Sequence, residues 1–135
     1  MAGALKVRTI VKLTGLGQEI DIDEEKTMTN PVEHGGSGKY IVHATAGTFA
    51  IQVSDLFPQI TLAKMYGVYI KAEVGTIYVL LNTAGVVSFD STTAELVYNV
   101  GESDWLPINP DNNAGITIDA SAVTDAFTIT AVGSA

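Results

Sequence analysis

The chain reads as an all-β protein, an antiparallel two-sheet β-sandwich of jelly-roll type with about ten strands and almost no helix. Three observations carry this. From Tyr66 to Ala135 the sequence is a series of short apolar runs broken by Gly, Pro, Asn and Asp. Those runs recur at roughly the 8–12-residue spacing typical of sandwiches and barrels. No segment has a well-supported helical period; Leu56–Met65 comes nearest, and Pro58, Ile60 and Thr61 limit it to about one turn.

Taken in order, Leu5, Val7, Thr9, Val11 and Leu13 alternate with Lys6, Arg8, Ile10 and Lys12, a period of two that predicts a strand. Residues 1–14 are therefore an N-terminal arm strand, and Gly15 and Gly17 end it. Ile20 and Ile22 alternate with Glu19, Asp21 and Asp23, a short strand with an acidic face. Residues 24–38, EEKTMTNPVEHGGSG, read as a long exposed loop. Tyr40–Ala44 and Phe49–Val53 flank Ala46-Gly47 as a hairpin, and Ser54–Pro58 turns with two large apolar residues tucked under a sheet edge. Tyr66–Val74 and Thr76–Leu81, joined at Gly75, read as a second hairpin. Val86–Phe89, Glu95–Val100, Trp105–Ile108, Ile116–Ala120 and Ala126–Val132 complete the strands.

With 135 residues the expectation is a single sandwich domain over 1–135, large enough to bury a core without staples. There is no cysteine, so neither disulfides nor thiolate metal sites are available. Lys6, Arg8 and Lys12 interrupt any signal-peptide core, and no uncharged apolar stretch approaches a membrane span of ~18 residues. A soluble protein made in the cytoplasm is expected, with no membrane contact.

The net charge is −8, unevenly spread. Residues 1–12 hold three cations and no acid; residues 13–135 hold four lysines against fifteen acids. An acidic body repels phosphate backbones and argues against nucleic-acid binding. A basic first strand is electrostatically suited to an acidic neighbour, including another copy of the chain.

No constellation reads as catalytic, and no cofactor is expected. Gly35-Gly36-Ser37-Gly38-Lys39-Tyr40 lacks the earlier Gly and the Ser or Thr after Lys that a phosphate loop requires. Asp21, Asp23, Glu24 and Glu25 lack the turn Gly and terminal Glu of a calcium loop and read as a solvated acidic edge. Pro110-Asp111-Asn112-Asn113 reads as a turn. His34 and His43, the two histidines, have no third nitrogen or sulfur ligand to make a zinc or iron site. Trp105 reads as the anchor of a strand start or a subunit contact. Tyr66 and Tyr98 read as outward-facing, without a clustered aromatic platform.

The order Val68–Val79 around Gly75, then Gly101-Glu102-Ser103, Trp105–Ile108, Gly115–Ile118 and Phe127–Thr130 resembles small β-sandwich structural proteins of tailed bacteriophages. The resemblance covers residues 66–133. It implies a non-enzymatic virion part: a capsid decoration (cement) protein, often a homotrimer, whose partners are the major capsid protein or other virion proteins. A tail or neck component is the alternative within the same particle. A carbohydrate-binding adhesion module is a second class, and a cupin-like enzyme with metal at His34 or His43 a third. The residues expected to meet a partner are Lys6, Arg8 and Lys12 on the basic strand, His34, Gly35 and Gly36 in the polar segment, and Trp105.

Overall fold

The computed structural model describes residues 4–15, 17, 19–27, 34–41, 50–81, 88–108 and 115–135. It is nearly all β and divides into two compact units, Met1–Glu33 and His34–Ala135. The sandwich strands all belong to the second unit, so the expected domain over 1–135 separates into a hairpin and a sandwich.

The first unit is a two-stranded antiparallel sheet of β1 (Lys6–Leu13) and β2 (Ile20–Thr27), in register from Lys6 opposite Thr27 to Leu13 opposite Ile20. Gly15 and Gly17 between them adopt positive φ.

Among the described residues the second unit holds eight strands. They are β3 (His34–Ile41), β4 (Ile51–Gln52), β5 (Met65–Val74), β6 (Ile77–Leu81), β7 (Leu96–Tyr98), β8 (Ser103–Pro107), β9 (Ile116–Ala120) and β10 (Ala126–Gly133). One four-stranded sheet has the order β3-β10-β5-β8, the other β4-β9-β6-β7. First pairs with last (β3 with β10), second with seventh (β4 with β9), third with sixth (β5 with β8) and fourth with fifth (β6 with β7). Such nesting is what a long hairpin makes when it folds over on itself, and it defines the jelly roll.

The core lies between the two sheets. Val68, Ile70 and Ala72 of β5 and Phe127, Ile129 and Ala131 of β10 meet Ile77 and Val79 of β6, Tyr98 of β7 and Ile116 and Ile118 of β9. Alternate residues of each strand point inward, so the period of two in the sequence becomes one buried face per sheet. Fully burying a side chain of this size contributes about 1.5–3 kcal/mol. Val53, Phe57 and Ile60, between β4 and β5, and Met65 at the start of β5 also join the core. There a single α-helical turn, α1 (Val53–Leu56), stops ahead of Pro58, and a 3₁₀ turn covers Leu62–Lys64.

Several expectations need correction. Residues 24–38 are not one loop: Glu24–Thr27 continue β2 and His34–Gly38 begin β3, while 28–33 lie outside the described residues. In β3 burial alternates, with His34, Gly36, Gly38 and Tyr40 on the more buried side. A Cβ on Gly36 would come within 2.8 Å of the Phe57 ring, and one on Gly38 within 2.8 Å of the Tyr40 hydroxyl. Neighbouring rings occupy the room that side chains would take, which is why a strand here is built from glycine.

The second expected hairpin, Tyr66–Val74 with Thr76–Leu81, does not form, and residues 42–49 of the first lie outside the described residues. β3 and β4 lie in different sheets, as do β5 and β6. Gly75, at φ +69, carries the chain from one sheet to the other. Ser88 and Phe89 are not in a strand; Val86, like His43, Ala46-Gly47, Phe49 and Asp111–Asn113, lies outside the described residues.

Candidate functional site

The hairpin β1–β2 carries three of the residues expected to meet a partner. Partners across an antiparallel pair project to the same side. One face therefore presents Lys6, Arg8, Ile10 and Lys12 beside Thr27, Glu25, Asp23 and Asp21. The other presents Val7, Thr9, Val11 and Leu13 beside Lys26, Glu24, Ile22 and Ile20. The first is a charged face and the second largely apolar. On the apolar face Val11, Leu13, Ile20 and Ile22 remain 39–45% exposed.

The basic strand is less available than its charge suggests. Arg8 donates from Nε to Asp23 Oδ1 at 2.8 Å and from Nη2 to Asp23 Oδ2 at 2.7 Å. Lys6 Nζ lies 3.7 Å from Glu25 Oε1. Lys12 stands opposite Asp21. The Arg8 bond holds the Asp23 carboxyl below its ordinary value, and Asp23 in turn raises Arg8. Both groups are exposed and open to salt screening. The charge of β1 is thus met along one side by β2 of its own hairpin, and the opposite face is the apolar one that the alternation of Val7, Val11 and Leu13 predicts.

His34, Gly35 and Gly36 sit together at the start of β3, an edge strand of its sheet. They line a pocket of about 260 Å³ with Leu56, Phe57, Pro58, Gln59 and Ile60. The tuck of Leu56-Phe57-Pro58 expected under a sheet edge forms one wall of it.

Trp105 is the middle residue of β8, the other edge strand of that sheet, and stands directly opposite Tyr69 of β5. Both are half-buried and face away from the core side of β5, where Val68 and Ile70 point inward. The indole lies over Gly67, so that a Cβ there would overlap ring atoms Cζ2 and Cη2. Trp105 and Tyr69 thus share the outer sheet face, with Thr130 beside Tyr69. Tyr98, in contrast, is buried and not outward-facing. Its hydroxyl donates to Asp104 Oδ2 at 3.2 Å, and burial, followed by the Asp104 charge, raises its pKa.

The Gly101-Glu102-Ser103 segment forms the β7–β8 turn. Gly101 adopts positive φ, Asn99 N donates to Glu102 Oε2 at 2.8 Å, and Gly101 N donates to Ala72 O at 2.8 Å. Among the described residues no group of three or more His, Asp or Glu is placed to hold a metal ion. Asp21, Asp23 and Glu25 share the charged face of the hairpin, whereas Glu24 belongs to the other. No helix among the described residues is long and apolar enough to cross a membrane.

Comparison of the chain with family models, with curated proteins and with solved structures finds no match.

Proposed function

We propose that the protein is a non-enzymatic structural component of a virion, a decoration protein that binds and stabilises the head shell of a tailed bacteriophage. The observation that carries the assembly role is the β1–β2 hairpin, a unit separate from the sandwich with exposed Val11, Leu13, Ile20 and Ile22 on one face. An isolated two-stranded hairpin is marginally stable in water, and large apolar residues on its surface favour burial against a partner. The head-shell assignment rests on the resemblance of residues 66–133 to small phage β-sandwich proteins. A protein of this kind stabilises a shell by binding the assembled state more tightly than the free subunits.

The test is to add the purified protein to tailed-phage heads that lack it. Saturable binding at a fixed number of copies per shell, with a raised shell disruption temperature, supports decoration. Binding restricted to tails or necks moves the protein to those parts of the particle.

One observation favours a second reading. Trp105 and Tyr69 stand opposite each other, half-buried, on the outer face of their sheet, and aromatic side chains on such a face can stack on sugar rings. Trp105 is the sole tryptophan, so quenching or a shift of its fluorescence on titration with host-surface polysaccharide reports this directly; an unchanged spectrum removes the adhesion reading.

A further inference from the structure

We infer that the hairpin joins copies of this chain head to tail, the outer edge of β1 in one copy pairing with the outer edge of β2 in the next. This deepens the assembly role above by naming the partner as a second copy.

Among the described residues the sheet of β1 and β2 has no third strand, so each strand keeps one outer edge of backbone N–H and C=O groups, a template for further strands. In this hairpin the two edges differ in charge. β1 carries Lys6, Arg8 and Lys12 and no acid; β2 carries Asp21, Asp23, Glu24 and Glu25 against Lys26 alone. Pairing β1 with β1, or β2 with β2, would set like charges side by side, which is destabilising. Pairing β1 with β2 of a neighbour repeats the arrangement already present inside the hairpin, where Arg8 meets Asp23 and Lys6 meets Glu25. The charges that prevent two-fold edge pairing are therefore the ones that select the head-to-tail contact.

The apolar face agrees. An added antiparallel strand in the same register continues the row of Val7, Val11 and Leu13 with Ile20 and Ile22 of the next copy. The exposed apolar residues of separate copies then become one surface, which curvature of the sheet can turn inward. A contact between two different edges is heterologous, and its repetition closes into a ring when the rotation permits. Because opposite charges at exposed edges drive it, the association weakens as salt rises.

The chain has no cysteine, so single thiols can be placed without background. Thr9 and Glu24 are exposed partners across the hairpin. Full-length T9C and E24C are prepared separately, mixed without shells and treated with a short bis-maleimide. The expected result is a 9-to-24 cross-linked dimer in the mixture, well above the dimer formed by either variant alone and reduced at high salt. Dimers of like variants in equal or greater yield, or no cross-link above that of a freely diffusing control, overturn the inference. So does a wild-type chain that sediments as a monomer at every concentration. Shell binding is scored separately, and a monomer that still decorates shells leaves the proposed function standing while this contact falls.

Discussion

The Asp125 carboxylate fills the space that a side chain on Gly75 would need. Gly75 turns between the two sheets at φ +69, and a Cβ built on it would overlap Asp125 Oδ1. The carboxylate is buried and accepts from Ser121 Oγ at 2.6 Å, Ala122 N at 3.0 Å and Thr76 N at 3.3 Å. One acid thereby ties the β5–β6 corner to the β9–β10 turn. Gly75→Ala should destabilise the fold by about 1–3 kcal/mol from backbone conformation alone, with the overlap adding to it. Asp125→Ala should cost about 1–3 kcal/mol through the donors it leaves unpaired. In denaturant unfolding, the double variant should lose less than the two single losses combined, because the overlap is gone. Strict additivity would show that the two residues act independently.

The hairpin ion pair predicts a pH dependence. Asp23 is held below its ordinary 3.8 by Arg8. A carboxyl with a lowered folded pKa contributes stability above its unfolded pKa, and that contribution disappears as pH falls through the folded value. The hairpin should therefore loosen only below the ordinary carboxylate range. NMR titration of Asp23 should give a midpoint under 3.8, and Arg8→Gln should return it towards 3.8. An unchanged midpoint in the variant would show that the pair does not persist in solution.

Tyr98 predicts the opposite limb. Its pKa is raised from 10.0 by burial and then by Asp104. As pH rises past 10.0, the unfolded chain ionises this phenol before the folded chain does, so stability falls in strongly alkaline solution. An ultraviolet titration of the folded protein should show a lagging tyrosine fraction, and Tyr98→Phe should abolish that fraction.

Gly67→Ala should push the Trp105 indole off the sheet, since the added methyl would overlap the ring. Overpacking of this kind costs about 1–3 kcal/mol. The emission of the single tryptophan should shift to the red as the ring gains water, and an unshifted spectrum would mean the ring has another resting place.

The long strands were legible because their chemistry is periodic. β5, β9 and β10 alternate β-branched and aromatic residues with smaller or polar ones, and they form where expected. β3 was hidden because its inward positions are His34, Gly36, Gly38 and Tyr40, which present almost no apolar rhythm. Pairing is not legible in the sequence for a geometrical reason. Short connections such as Gly75 suggest hairpins, but in a jelly roll they cross between sheets, and partners come from distant parts of the chain. The candidate surfaces were half visible. The charge of Lys6, Arg8 and Lys12 and the apolar alternation of Val7, Val11 and Leu13 stand in the sequence, whereas the pairing of both with β2 depends on register. The Trp105–Tyr69 pair likewise exists only once β8 lies beside β5.

The nested pairing of the sandwich also ranks its loop closures. β6 and β7 close the shortest loop, β5 with β8 the next, then β4 with β9, and β3 with β10 the longest. Loop closure grows costlier with separation, and folds dominated by distant contacts fold slowly. β10 nevertheless occupies an interior position, between β3 and β5. β3 and β5 do not pair with each other in this sheet, so its four strands cannot be joined in their final order before β10 has been made.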